Sequence, residues 1–171
     1  MILIRKEKTS DRQTIREINE FAFGQGEEAD IVDALRQNCD ELLSLVAVVG
    51  GHVVGHILFS PVTIEKSGQE FRGMGLAPMA VLPSHQGGGV GSALVRRGLG
   101  LLKEQNYPFV IVMGHPSFYP RFGFEKASVH GIQPQWEGIP DEAFMIAILD
   151  PHKMAGVKGV ATYRSEFDIA V

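Results

Sequence analysis

The sequence predicts an α/β (α+β) fold, and three observations carry that prediction. Between residues 75 and 113 an apolar strand, a helix and a second apolar strand follow one another, the pattern of a βαβ unit. Two β-branched runs, Val46–Val49 and Val53–Phe59, flank Gly50-Gly51, a strong signal for a hairpin of antiparallel strands. The chain has 171 residues, 44% hydrophobic and 21% charged, which suits a single domain over 1–171 with a substantial core.

Taken in order, residues 2–7 read as a first strand. Ser10-Asp11 offers an N-cap, and Ile15, Ile18 and Ala22 recur at helical spacing until Gly24 and Gly26. Glu27, Glu28 and Asp30 open a second helix, where acids complement its positive end, with Ile31, Ala34, Leu35 and Asn38 on its inner face. Strand character runs from Leu45 to Ile64, and Lys66-Ser67-Gly68-Gln69 reads as a loop. Residues 75–82 form an apolar strand that contains Pro78. A helix follows over Ser92–Gln105, with Leu94, Gly98, Leu101 and Leu102 on one stripe. Gly98 and Gly100 each cost a helix interior about 1 kcal/mol relative to Ala, so close packing on a sheet is the expected return. Phe109–Met113 is apolar throughout, as a strand buried on both faces would be. Residues 115–123 read as a turn and short helix, and Ala143–Leu149 and 157–163 as further strands.

Composition excludes several classes. The single cysteine, Cys39, cannot form an internal disulfide and is expected to be buried or inert. A reducing compartment fits, and the opening MILIRKEK is too short for a signal-peptide core, so a cytoplasmic protein is expected. The net charge of −4 gives no global footprint for nucleic acid or an anionic membrane. No run approaches the ~18 apolar residues of a membrane span. No Cys/His set has metal-ligand spacing, so no metal is expected.

The most informative segment joins the strand at 75–82 to the helix after it. Four of the five residues from Gly87 to Gly91 are glycine, more than a plain chain reversal needs. Glycines allow positive φ and close approach of a ligand, and the free N–H groups of a helix N-terminus point at an anion. A phosphate or pyrophosphate is the physical reading. A P-loop would need a lysine before Ser92, where Gly91 stands. A dinucleotide fingerprint would need a third glycine, where Leu94 stands, and an acid near the end of the next strand.

The order Val81-x-Pro83-x-x-Gln86-x-x-Gly89-x-Gly91 resembles the acetyl-CoA motif of the GCN5-related N-acetyltransferases (GNAT). Three further phrases resemble the YhbS-like branch of that family: Gly55–Val62, Gly114-His115-Pro116 and Tyr119–Phe124. The resemblance implies a mixed, largely antiparallel sheet with a splayed central parallel strand pair and flanking helices. It implies acetyl-CoA as cosubstrate, with the pyrophosphate on the amides of Gly87, Gly88, Gly89, Val90, Gly91 and Ser92. Gln86 stands at the family's Arg/Gln position, and the backbone of Met79, Ala80 and Val81 would pair with the pantetheine arm. Such pairing needs an exposed strand edge. Pro78 fits, because proline cannot donate to a ladder; it is expected where this strand parts from Phe109–Met113.

The implied reaction moves an acetyl group to a primary amine by direct attack on the thioester. Tyr119, four residues before Gly123, matches the family's catalytic tyrosine and would protonate the departing thiolate; packing against Phe118, Phe122 and Phe124 is its other reading. His115 is the candidate proton acceptor, with His56 beside it, since residues 76–82 carry no Glu or Asp. Where relatives carry an Asn seven residues before the tyrosine, this chain has Val112. Arg121, Arg72, Arg96, Arg97 and Lys103 are candidates to attract the polyanionic cofactor. By analogy with the fold, Phe23–Glu28 and the region of Trp136 face the acceptor. The expected partners are therefore acetyl-CoA and an amine the sequence does not identify, with a homodimer as a compatible assembly. A non-catalytic acyl-CoA sensor on the same fold is the alternative.

Overall fold

Gly50 and Gly51 both take positive φ, 57° and 81°, as a two-residue hairpin turn requires. They join strands β2 (Leu43–Val49) and β3 (His52–Lys66). The structure is a computed structural model and describes residues 1–170. Strand β1 (Ile2–Lys6) lies antiparallel to β2 at one edge. Strand β4 (Gln69–Val81) returns antiparallel along β3. It begins six residues earlier than its apolar signal at Gly75, because Gln69, Glu70 and Arg72 lie on an exposed hairpin end where hydrophobicity is not needed.

Helix α1 spans Arg12–Phe23 and α2 spans Glu27–Asn38. The expected cap differs in detail. A 3-10 turn at Thr9–Asp11 precedes α1, and the Asp11 carboxylate accepts from Lys8 N–H (2.6 Å) and from Arg5 (2.7 Å). It caps the turn and not the α-helix. On α2 the buried face is Ala29, Ile31, Val32 and Leu35, while Asn38 is exposed and donates to Ala34 O at 2.9 Å. Cys39 ends α2 half-buried, not fully, with Sγ 3.7 Å from Glu41 O.

Helix α3 (Val90–Glu104) connects β4 to β5 (Phe109–Met113), and these two strands are parallel. Strands β6 (Glu125–Lys126), β7 (Ile132–Pro134) and β8 (Phe144–Ile148) follow, then the short helix α4 (Pro151–Met154) and β9 (Gly159–Tyr163). The sheet order is β1-β2-β3-β4-β5-β8-β6. Beyond the end of β2, strand β9 pairs with β3 at Val62–Ile64, and β7 adds to β9 in parallel. The sheet is thus largely antiparallel with a parallel pair, β4–β5, at its centre, as expected from the sequence.

Two cores cover its two faces. Leu94, Val95 and Leu102 of α3 pack with Ile57, Phe59, Leu76, Val110 and Val112. Ile31, Val32 and Leu35 of α2 pack with Leu58, Val62, Phe109 and Ile111 on the other side. The alternation 57/58/59 and 109/110/111/112 between the two groups is the period of a strand buried on both faces.

The two helix glycines separate. A Cβ on Gly98 would stand 2.4 Å from the Phe59 ring, whereas one on Gly100 would meet nothing within 4 Å. We therefore expect Gly98→Ala to destabilise the fold by about 1–3 kcal/mol through overpacking. Gly100→Ala should stabilise it by about 0.5–1 kcal/mol through helix propensity. Urea midpoints of the two variants measure both signs.

Candidate active site

The central pair is paired over only three positions: Met74–Val110, Gly75–Ile111 and Leu76–Val112. Beyond Leu76 the two strands separate, while β4 runs on to Val81 with β3 alone as its neighbour. Opposite Leu58 the ladder slips, so that Ala77 and Pro78 occupy a bulge between the pairs Leu76–Phe59 and Met79–Ile57. Pro78 thus sits where the sequence suggested, at the start of the split.

The register decides which backbone groups face the split. Leu82 N–H donates to Val54 O at 2.9 Å. In an antiparallel ladder hydrogen-bonded pairs alternate, so Ala80 turns its amide toward His56 while Met79 and Val81 turn theirs to the open edge. Gln86 Nε2 donating to Val81 O at 3.0 Å agrees with that orientation. The expected backbone contacts are corrected accordingly: Met79 and Val81 line the cleft, and Ala80 is buried against β3 and does not. Gln86 braces the strand end as well as lining the cleft.

At the end of β4 the chain turns through Gly87 (φ 80°) and Gly89 (φ 89°), a region closed to most side chains. The first intrahelical bond of α3 is Ala93 N–H to Gly89 O at 3.0 Å. The N–H groups of Val90, Gly91 and Ser92 therefore have no acceptor within the helix, and the dipole adds positive character there. Gly87, Gly89, Val90, Gly91 and Ser92 line the cleft; Gly88 lies exposed on its outer rim and is not among the lining residues. These donors beside an open strand edge suit a ligand with an anionic head and an amide-bearing arm, which is the chemistry of a pantetheine pyrophosphate.

Tyr119 and His115 lie on the opposite wall. The His115 carbonyl accepts from Phe118 N–H (3.1 Å) and Tyr119 N–H (3.5 Å), so His115 opens the turn that places the tyrosine. Tyr119 is 7% exposed and is held edge-on by Phe118 (5.0 Å) and Phe124 (5.6 Å). A Cβ on Gly114 would stand 2.3 Å from its ring, so the glycine leaves room for this placement. Burial pushes the Tyr119 hydroxyl up to about 12, which keeps it a proton donor. Its packing and donor readings are thus compatible.

His56, Arg72 and Arg96 fall away from the cleft. His56 is fully buried on the α1 face of the sheet, between Asn19 and Ser44. Arg72 pairs with Glu41 at 3.3 Å, and Arg96 lies over the Phe122 ring at 5.1 Å. Arg121 lines the cleft, stacked on Phe118 at 4.9 Å. Ile31 and Phe167 are lining residues that the sequence did not suggest, because their contribution depends on distant segments meeting. Among the described residues no helix is long and apolar enough to cross a membrane, and no group of three or more His, Cys, Asp or Glu is arranged to hold a metal.

Residues 3–127 match the acetyltransferase (GNAT) domain family. With the split strand pair, the glycine turn and the free amides of α3, the class is defined: the chain belongs to the GNAT family. Among its relatives is the uncharacterized N-acetyltransferase YhbS of Escherichia coli K12, 35% identical over 98% of this chain and 99% of that protein. The crystal structure of Escherichia coli YhbS in complex with CoA superposes with a TM-score of 0.90, covering 98% of this chain and 92% of that one. A GNAT family acetyltransferase from Brucella melitensis in complex with acetyl-CoA is also 35% identical, with a TM-score of 0.80 over 98% of this chain and 99% of that one.

Proposed function

We propose that this chain, acting as one domain, transfers the acetyl group of acetyl-CoA to a primary amine. One observation carries the reading: an unpaired β4 edge at Met79 and Val81 runs directly into the free amides of the α3 N-terminus, with Tyr119 lining the same cleft. The complexes of the YhbS and Brucella melitensis relatives with CoA and acetyl-CoA support the choice of ligand.

In this reading Gly87, Gly89, Val90, Gly91 and Ser92 hold the pyrophosphate through backbone N–H groups, and Gly88 shapes the turn. Met79 and Val81 pair with the pantetheine arm, and Ala80 locks that edge to β3. The acetyl-CoA thioester supplies the acetyl group. An amide N–H at the split stabilises charge on the carbonyl oxygen as the neutral amine attacks. The C–N bond forms, the C–S bond breaks, and Tyr119 gives its proton to the sulfur. The proton lost by the nitrogen passes to water or His115, and Tyr119 is reprotonated from solvent. The cytoplasm is the proposed setting, in line with a single cysteine.

The test is CoA release, followed with a thiol reagent across a panel of primary amines. Amine-dependent release is the expected result; acetyl-CoA binding with no amine dependence across the panel would instead leave a CoA sensor. Gly89→Val, which asks a β-branched residue to adopt φ 89°, should weaken acetyl-CoA binding about tenfold or more in calorimetry.

A further inference from the structure

The cleft, about 960 Å³, is lined by residues from both faces of the sheet. Its lining draws on both cores. Val90, Met79, Phe118 and Tyr119 belong to the α3 side. Ile31, Ala77, Met113, Trp136 and Phe167 belong to the α2 side. Among the described residues, the gap between β4 and β5 beyond Leu76 lies between the two. If the cofactor lies on the α3 side, the acceptor meets the thioester from the α2 side, and the chemistry of that mouth describes the acceptor.

That mouth is a prepared aromatic surface. Trp136 packs on Tyr163 at 5.1 Å between centroids, and Tyr163 packs on Phe167 at 5.3 Å. Tyr163 is 5% exposed, so the two lining rings are fixed to the core and do not have to be ordered by a ligand. Phe23, 41% exposed, stands at the rim.

One charge belongs to this half. Glu28 lines the cleft and is half-buried, with both oxygens held by Gln25 Nε2 at 3.0 and 3.2 Å. Its neighbours Glu20, Asp30 and Asp33 share the Arg16 guanidinium, at 2.8 Å each. Among the described residues no cation is paired with Glu28. A carboxylate beside apolar rings, without a protein cation, matches an ammonium carried on an apolar body. A polyamine would ask for several carboxylates, and an aminosugar for a row of hydroxyl partners; neither is present in this half.

We infer that the acceptor is a primary amine on an aromatic or large apolar body, with Glu28 facing the ammonium and Trp136 and Phe167 flanking the ring. The inference rests on the acetyl-transfer reading for its chemistry but is tested by binding alone. Trp136 is the only tryptophan of the chain, so its emission reports this mouth directly.

The experiment titrates phenethylamine into the protein with CoA present, following Trp136 emission. 2-Phenylethanol, spermidine and glucosamine serve as comparisons. Phenethylamine should saturate with a Kd about tenfold or more below each of them. Glu28→Gln, which keeps the side-chain shape, should bring phenethylamine to the affinity of 2-phenylethanol while acetyl-CoA affinity stays unchanged. Spermidine or glucosamine binding as tightly as phenethylamine, or a selectivity indifferent to Glu28→Gln, would overturn the inference. Phenethylamine binding without amine-dependent CoA release would sink the transfer reaction and leave only the mouth's preference for such an amine standing; release with polar amines alone would keep the transfer reaction and overturn the inference.

Discussion

Tyr119→Phe should lower kcat about a hundredfold or more while leaving acetyl-CoA affinity within about twofold. The substitution removes one oxygen and nothing else. The ring keeps its edge contacts with Phe118 and Phe124 and its place over Gly114, so the aromatic wall survives. The pH profile separates a proton donor from a packing ring. Burial raises the hydroxyl to about 12, so the donor form persists through the whole range in which the amine loses its proton. Raising the pH should therefore increase kcat/KM as more acceptor becomes neutral, with no fall near pH 10, where an ordinary tyrosine would begin to ionise. An unchanged kcat in the variant would count against the role, whereas a descending limb near pH 10 in the wild type that the variant lacks would keep the donor role and overturn only the raised pKa.

The turn and the tyrosine were legible in the sequence for different reasons. Gly87–Gly91 is a local signal, because positive φ at Gly87 and Gly89 is a demand of the backbone itself. Pro78 was also local: a residue without an N–H marks a break in a ladder, and the ladder breaks one residue before the bulge that holds it. The βαβ unit followed from a change of period. By contrast, the exclusion of Ala80 from the cleft depends on the phase of hydrogen bonding, which the Leu82–Val54 bond sets. The pattern of apolar residues does not carry that phase. The same limit explains α2, where Ala34 and Asn38 fit a helical stripe but Ala29 and Val32 are the buried positions. The docking angle of a helix is a tertiary matter. Phe167 and Ile31 were invisible for that reason too, since they meet at the cleft from segments far apart in the chain.

His56 was a candidate for proton transfer, and its burial turns it into a stability element with a defined acid limit. Ser44 Oγ donates to Glu7, so its oxygen is free to accept from His56 Nε2–H at 3.0 Å. That leaves Nδ1 as the acceptor for Asn19 Nδ2, 3.3 Å away; the bond from Nδ2 to Ile15 O (3.0 Å) sets which end of the amide faces the ring. Neutral imidazole is thus satisfied on both sides, and a proton on Nδ1 would face a donor. Burial first, and the Arg36 charge to a smaller degree, lower the His56 pKa to about 3 against the opposing pull of Glu7. The unfolded chain takes up that proton near pH 6.5, so below this value it binds one proton more than the native state. Stability must then fall as the pH falls, by up to about 1.4 kcal/mol per unit, or about 2 kcal/mol between pH 7 and pH 5. Glu7, whose pKa is lowered mainly by Arg36 and Ser44 against burial, acts in the same direction only below its ordinary value of 4.5. The window from pH 6.5 to 4.5 therefore belongs to His56. Urea unfolding across it should show this slope in the wild type and its loss in His56→Gln, which is expected to be less stable at pH 7 but flat. A slope retained in the variant would reject the assignment. His56 pairs with Ala80 across β3 and β4 through the backbone, while its imidazole is held neutral between Asn19 and Ser44. Acetyl-CoA affinity of the folded protein should hold across that window, because the native His56 stays neutral until about pH 3.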